Sequence, residues 1–389
     1  MMSAAGLVVM LWDEVGLDVS GRLASEASFV RVLEELRAQV PVLLLCGGKS
    51  IRAEADHIRV APLGFIPGFA AWLRSPARFS AAIHRLLNSE LENVGAAVPI
   101  LLVDVSIANY LAMKTLPHRK LFLYLRGDDA REAIIRQRGA ARIAGTLHAL
   151  VLRSIRRRML KRLPLVGAGA APLPRRVLAG HTVWPFYPSS LTRAEIDAVM
   201  RGTASAADRN PVRIVWIGRL VAIKRVDRLI RAAAGFARSW QSVVELHLFG
   251  DGPLRQELEL LASRTGSSLE TVFHGRVPGG GLVTRLQGAL CLAVTSAWEG
   301  FPKVVPEALS AGIPIVAFDI GSISSLIEAR DVGIVVRGGE TAMAGAFQAL
   351  AASPETWRVK SANARAAALD LALDDQCQRL LQHLQASAA

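Results

Sequence analysis

The chain has 389 residues, enough for two domains that each bury their own core. Hydrophobic residues make up 51% and charged residues 20%, which excludes a disordered chain, and no apolar run reaches the roughly 20 residues of a membrane span. The net charge of +13 is unevenly spread: no Asp or Glu occurs between Glu132 and Glu195, and that interval holds Arg153, Arg156, Arg157, Arg158, Lys161 and Arg162 among others, which implies an anionic partner.

The first residues, Met1-Met2-Ser3-Ala4-Ala5-Gly6, lack a basic segment, so Leu7 to Leu11 reads as a buried parallel strand and not as a signal peptide. A loop with Gly16 and Gly21 leads to helical spacing over Ala27 to Ala38, and a second strand follows at Val40 to Cys46. This order opens a doubly wound α/β domain. Gly47-Gly48-Lys49-Ser50 resembles the end of a phosphate loop, but the glycine required five residues before Gly48 is Leu43, so it reads as a turn. Ile100 to Val103 and Leu121 to Leu125 are further strands, with a helix over Ser106 to Met113. The second of these strands ends in Arg126-Gly127-Asp128-Asp129, where open α/β sheets place ligand groups; Asp128 is a candidate active-site residue, and the alternative is a structural turn in which Asp129 caps a helix from Ala130.

From Ala130 to Arg162 the pattern is helical, in two pieces broken near Gly145. Over residues 150–163, Leu150, Val151, Ile155, Leu160 and Leu163 alternate with arginines. Such a helix suits peripheral contact with an anionic membrane, and it equally suits a solvated face packed on its own domain. Nucleic acid is not expected, because the basic stretch has no interleaved aromatics and no matching motif. Gly180 to Pro188 reads as an edge strand closing the first domain, 1–188, and the polar stretch 189–211 reads as a linker.

A second α/β domain follows over 212–370. Strand Val212 to Ile217 leads into Gly218-Arg219-Leu220-Val221-Ala222-Ile223-Lys224 and a helix from Arg225. A guanidinium fork and an ammonium in one short loop before a helix suit a pyrophosphate. Gly250-Asp251-Gly252-Pro253 after strand Val243 to Phe249 reads as a structural turn, and His274, ending a short strand, as a packed side chain. The strand over Ala289 to Val294 runs into Ser296-Ala297-Trp298-Glu299-Gly300-Phe301-Pro302-Lys303-Val304-Val305-Pro306-Glu307, with Gly312 and Pro314 ending the helix. Two carboxylates eight positions apart thus flank a strand-to-helix junction, a natural phosphate position. The remaining residues are helical over 339–386 with a break near Asp370, and 371–389 is expected to fold back on the first domain. Cys46, Cys291 and Cys377 are scattered and odd in number, arguing for a reducing, cytoplasmic setting and against disulfides or zinc.

Taken together, Gly218-Arg219-Leu220-Val221 with Lys224, Gly250-Asp251-Gly252-Pro253, His274-Gly275 and Glu299-Gly300-Phe301-Pro302 through Glu307-Ala308 resemble the nucleotide-binding domain of glycosyltransferase family 4. The resemblance covers residues 212 to about 337. It implies the GT-B fold, two Rossmann-like doubly wound parallel-sheet domains facing a cleft. It implies a retaining glycosyltransferase that needs no metal or cofactor and moves a sugar from a UDP- or GDP-linked donor to a glycan or lipid-linked acceptor, in cell-surface polysaccharide or glycolipid assembly. In that reading Arg219 and Lys224 hold the diphosphate, Glu307 accepts from the ribose, and Glu299 contacts the sugar. Gly218, Gly300, Phe301, Pro302 and Lys303 complete the donor site, and Glu299, Lys224 and Arg219 carry catalysis; Asp128 is added to the catalytic set by its place after a buried strand and not by the resemblance, from which the first half departs. The expected place of work is the cytoplasm, at the inner face of the membrane. Two rivals stay open: a catalytically silent GT-B protein that binds an anionic surface, and a nucleotide-sugar epimerase of the same fold.

Overall fold

A computed structural model describes residues 5–18, 22–24, 29–48, 53–65, 67–126, 141–169, 173, 175–202, 211–266, 268–277 and 282–387. The chain divides into two compact units, Met1–Phe186 with Gln376–Ala389, and Tyr187–Asp375.

In the first unit the strands are β1 (Leu7–Glu14), β2 (Gly16–Leu17), β3 (Leu23–Ala24), β4 (Val42–Gly47), β5 (Ala53–Ala55), β6 (Ile58–Pro62), β7 (Ile100–Val103), β8 (Leu121–Leu125), β9 (Leu165–Ala168) and β10 (Val183–Phe186). Eight of them form one sheet in the order β10-β9-β8-β7-β1-β4-β6-β5, parallel except for β5 against β6. Continuous apolar runs dictate this: Leu7–Leu11, Val42–Leu45 and Leu121–Leu125 are buried throughout, as strands covered on both faces must be. The chain leaves β1 toward β4 and β6, then returns to lay β7 on the other side of β1. The carboxyl ends of β1 and β7 therefore flank the topological switch point, where such sheets bind ligands.

The expected helix over Ala27 to Ala38 is Val30–Gln39, with Val32, Leu33 and Leu36 inward. Tyr124 packs between Phe29 (centroids 5.2 Å apart) and Phe186 (5.6 Å), and each such pair adds about 0.5–1.5 kcal/mol beyond its burial. The last helix, Leu373–Ala386, joins this unit from Gln376 onward. Its Leu380 and Leu384 are buried, and His383 lies flat on Trp184 of β10 at 4.6 Å and 10°. Burial holds the His383 imidazole below its ordinary pKa.

The basic helix differs from expectation. It runs unbroken over Ala141–Leu160, with Gly145 inside it and buried. Leu152, Ile155, Met159 and Leu160 point into the core, and Arg156 is itself only 8% exposed. The apolar residues interleaved with arginines over 150–163 are therefore mostly core-facing. The outward stripe is Ile143 (72% exposed), Leu147 (53%) and Leu150 (56%), continued by the exposed Arg157, Arg158 and Lys161. No helix among the described residues is long and apolar enough to cross a membrane.

In the second unit β11 (Val212–Ile217), β12 (Val244–Phe249), β13 (Leu269–Gly275), β14 (Cys291–Val294), β15 (Ile315–Phe318) and β16 (Gly333–Val336) form a parallel sheet ordered β13-β12-β11-β14-β15-β16. Helix Val226–Ser239 buries Val226, Leu229, Ile230 and Ala233 against it. The stretch 189–211, expected as a linker, contains the helix Arg193–Gly202. Thr192 and Glu195 cap it reciprocally: Glu195 Oε2 accepts from the Thr192 amide at 2.8 Å and from its hydroxyl at 3.0 Å. Asp374 accepts from the Arg193 amide at 2.9 Å and Asp375 pairs with its guanidinium, tying this helix to the end of the same unit.

The Gly250-Asp251-Gly252-Pro253 turn is structural for a visible reason. Gly250 has φ +140°, and a Cβ there would lie 1.7 Å from the Gly218 carbonyl oxygen; one on Gly252 would lie 2.5 Å from that of Leu220. The two loops touch backbone to backbone, fixed by Leu220 N–H donating to Asp251 O at 2.9 Å. Gly250→Ala is expected to lower the thermal transition of this unit by about 5–15 °C, as about 2–4 kcal/mol of strain would. Differential scanning calorimetry measures it; an unchanged transition would show that the two loops yield.

Candidate active site

β14 is an apolar, wholly buried strand, and the residues after it are polar but still buried, Thr295 and Ser296. Buried polar groups need partners; Thr295 finds its partner in the loop after β11, and Ser296 finds one in Glu299 of its own loop. The Thr295 hydroxyl donates to Lys224 O at 2.8 Å, and the Ala297 amide donates to Ile223 O at 2.8 Å. The β11 loop itself winds through a one-turn 3-10 helix, Ala222–Lys224, and Arg225 then takes the left-handed conformation (φ +49°) that turns the chain into helix Val226–Ser239. The two loops are thus stitched together by backbone and hydroxyl bonds.

That stitching brings Lys224 Nζ to 2.7 Å from Glu299 Oε1, with the side chains 23% and 14% exposed. The Ser296 hydroxyl donates to the same carboxylate oxygen. The sequence assigns Lys224 to the diphosphate and Glu299 to the sugar; the structure pairs the two with each other. At this partial burial, desolvation of both groups offsets much of their attraction.

Beyond Glu299 the loop is held by the Ser322 hydroxyl, which donates to Gly300 O. Phe301 is buried and meets the Tyr187 ring edge-on at 5.2 Å and 68°. Pro302 precedes helix Val304–Ser310, and Lys303 is exposed at its N-cap. Pro306 falls in the first turn, where a helix amide has no acceptor within the helix, so it is tolerated. Gly312 closes the helix at φ +71°, with its own amide and that of Ile313 returning to the carbonyls of Leu309 and Ala308. Glu307 is on this helix; its Oε1 accepts from the Ser190 hydroxyl at 2.7 Å, and its Oε2 is buried. Arg219 is exposed and, among the described residues, forms no ion pair. Gly218 lies under the Gly250 turn, its amide donating to Phe249 O at 2.9 Å. Asp128 lies outside the described residues.

His274 is stacked flat on Phe249 at 4.2 Å, and its Nε2 is 2.9 Å from His247 Nδ1, whose other nitrogen meets Glu245 at 3.0 Å. Burial, then the neighbouring His247, Arg285 and Arg213, lower its pKa. The expected packed side chain is therefore not what the structure shows: on the edge strand β13, His274 lies against Phe249 but stays exposed.

The first unit carries a charged constellation at its own strand ends. Asp13 is the penultimate residue of β1, Asp104 follows β7 and Arg126 follows β8. Asp104 accepts from the Arg126 amide at 3.1 Å and from its Nε at 2.6 Å, and Asp13 accepts from the same guanidinium at 3.2 Å. Burial works against the Arg126 charge, but Asp104, with Asp13 adding to it, raises its pKa above the ordinary value. Behind them Asn109 donates to Val103 O and Asp104 O at 2.8 and 2.9 Å, and accepts from the Trp12 indole at 2.6 Å. Asp13 and Asp104 carry no local sequence motif. Only their position at ends of buried strands could have pointed to them. Among the described residues no three His, Cys, Asp or Glu side chains are placed to hold a metal.

Comparison with known proteins places the second unit. Residues 203–367 match the family model described as glycosyl transferases group 1, a span that contains Gly218 through Glu307. The D-inositol 3-phosphate glycosyltransferase of Nocardia farcinica is 32% identical over 151 residues, 37% of this chain and 33% of that one. The lipopolysaccharide 1,6-galactosyltransferase of Salmonella typhimurium is 30% identical over 113 residues, 28% of this chain and 30% of that one. The chain thus matches about a third of the length of these relatives. The crystal structure of WaaG, a glycosyltransferase involved in lipopolysaccharide biosynthesis, superposes with a TM-score of 0.63 over 97% of this chain and 99% of that one, at 13% identity. The fold is GT-B, two doubly wound parallel-sheet α/β units.

Proposed function

We propose that this protein is a retaining glycosyltransferase of family 4 that moves a sugar from a UDP- or GDP-linked donor to a glycan or lipid-linked acceptor. The observation that carries the reading is the Lys224–Glu299 pair, built on two stitched loops inside the span that matches glycosyl transferases. Breaking the sugar–phosphate bond leaves positive charge on the sugar and a diphosphate anion. Lys224 and Arg219 take the anion, and once Lys224 turns to it, Glu299 is released toward the sugar. Cations fixed in advance stabilise a departing diphosphate without reorganisation at the moment of reaction, so no divalent ion is required in this scheme. Gly218 and the Gly300–Lys303 backbone complete the donor site, and Glu307 accepts from the ribose hydroxyls. The Asp13–Asp104–Arg126 constellation, with its carboxylates already oriented, holds acceptor hydroxyls in this scheme, and a catalytic part for Asp128 rests on its position in the sequence alone.

The similarity to a lipopolysaccharide galactosyltransferase supports a role in cell-surface polysaccharide or glycolipid assembly. We propose peripheral contact at the inner face of the membrane through the outward stripe of helix Ala141–Leu160, apolar at Ile143, Leu147 and Leu150 and cationic at Arg157 and Arg158. The buried thiols of Cys46, Cys291 and Cys377, none of them in a disulfide, suit the reducing cytoplasm.

Nucleotide release and product formation, followed for UDP- and GDP-sugars with and without candidate acceptors, test the catalytic reading. Glu299→Ala and Lys224→Ala are each expected to lose about 10²–10³-fold in turnover with an unchanged circular dichroism spectrum, in the presence of EDTA as in its absence. Near-wild-type turnover in either variant contradicts the assignment. Absence of release points to a silent binding protein, and conversion of the donor's sugar without an acceptor points to an epimerase. For the membrane reading, co-sedimentation with phosphatidylglycerol vesicles is expected to exceed that with phosphatidylcholine, and Arg157→Glu/Arg158→Glu to weaken it at least tenfold, each cation being worth about 1 kcal/mol at such a surface. Equal binding to both vesicles removes that reading.

A further inference from the structure

Glu307 is the carboxylate proposed to accept from the ribose, and the role inferred for its neighbour Ser190 rests on that proposal. The Glu307 backbone is fixed by helix Val304–Ser310, which buries Val305, Pro306, Ala308 and Leu309. The side chain still has three torsions, so a helix alone does not aim the carboxylate. We propose that Ser190 is the positioning residue that aims it, and so sets how strongly the site distinguishes ribose from deoxyribose.

The Ser190 hydroxyl donates to Glu307 Oε1 at 2.7 Å, across 117 positions of sequence. A hydroxyl donor on an ionised acceptor is the stronger kind of hydrogen bond. It occupies one lone pair of Oε1 and leaves the carboxylate plane defined, as a vicinal diol requires of its acceptor. Ser190 is itself held on both sides. Before it, Tyr187 meets Phe301 of the donor loop at 5.2 Å, and Ser189 is buried with its hydroxyl oxygen accepting from the Leu191 amide at 3.1 Å. After it, Leu191 O accepts from the Leu373 amide at 2.9 Å, and the Thr192–Glu195 cap starts a helix. Ser190 therefore arrives with little freedom of its own, which makes it a fixed reference for a flexible carboxylate. It lies outside residues 203–367, the span that matches glycosyl transferases group 1.

The test is calorimetric titration of the full chain with UDP and dUDP, GDP and dGDP, and inorganic pyrophosphate. The wild-type protein is expected to bind one ribonucleotide more tightly than its 2′-deoxy counterpart. Ser190→Ala is expected to weaken that ribonucleotide about tenfold to 150-fold, the worth of one hydrogen bond to a charged group, and to collapse the ribose-to-deoxyribose ratio toward one. Pyrophosphate, which has no ribose and so does not meet Glu307 in this scheme, should bind both proteins equally. Ser190→Thr, which keeps the hydroxyl, should restore the ratio. An unchanged ratio in Ser190→Ala overturns the role of Ser190 while leaving the donor site standing, and so does an equal loss of pyrophosphate, which marks a general disturbance. A wild-type protein that binds no nucleoside diphosphate overturns the donor site and this inference with it.

Discussion

The donor-side geometry depends on the seam between the loop after β11 and the loop after β14. Two hydrogen bonds of 2.8 Å, from Thr295 to Lys224 O and from Ala297 to Ile223 O, make the two loops one object. Without that seam, an ammonium on a four-carbon stem and a glutamate on an irregular loop would each spend most of their time in water. Joined, they sit 2.7 Å apart and partly buried. Such a pair adds little to stability, because burying both charges costs nearly what their attraction returns. In the proposed function its use is that the opposite charges are stored next to each other until a substrate of mixed charge divides them.

The β11 loop is supported from its other side too. Gly250 and Gly252 let the turn after β12 lie against Gly218 and Leu220 with no side chain between. The Lys224 loop is therefore clamped between two neighbours, one on β12 and one on β14, the strands flanking β11 in the sheet. The first unit places charge by the same rule. Its switch point lies between β1 and β7, and there Asp13, Asp104 and Arg126 gather from three strand ends. Both units turn the topology of a parallel sheet into a fixed arrangement of ionic groups.

How legible these features are in the sequence follows from how local they are. Buried parallel strands declare themselves as apolar runs, so Leu7–Leu11, Val212–Ile217 and Cys291–Val294 can be read directly. The short strands Ile58–Pro62 and Leu165–Ala168 cannot. Gly218 to Lys224 and Glu299 to Glu307 are compact segments whose spacing survives without coordinates. Asp13 and Arg126 stand 113 positions apart, and only the sheet order makes them neighbours. Ser190 is concealed differently, in a polar stretch that reads as a linker. The basic helix shows a further limit: periodicity reveals that Leu150, Ile155 and Leu160 are helical, but not that Ile155 and Leu160 face the core while Leu150 faces out.

The central claim is that the Lys224–Glu299 junction receives the diphosphate of a nucleotide-sugar. Thermal denaturation with UDP, GDP and their sugar conjugates, in EDTA, tests it most directly. At least one diphosphate nucleotide is expected to raise the melting temperature, and Lys224→Ala and Arg219→Ala are each expected to abolish the rise while the uncomplexed variants melt near the wild-type temperature. A nucleotide-induced rise of the same size in both variants would contradict it.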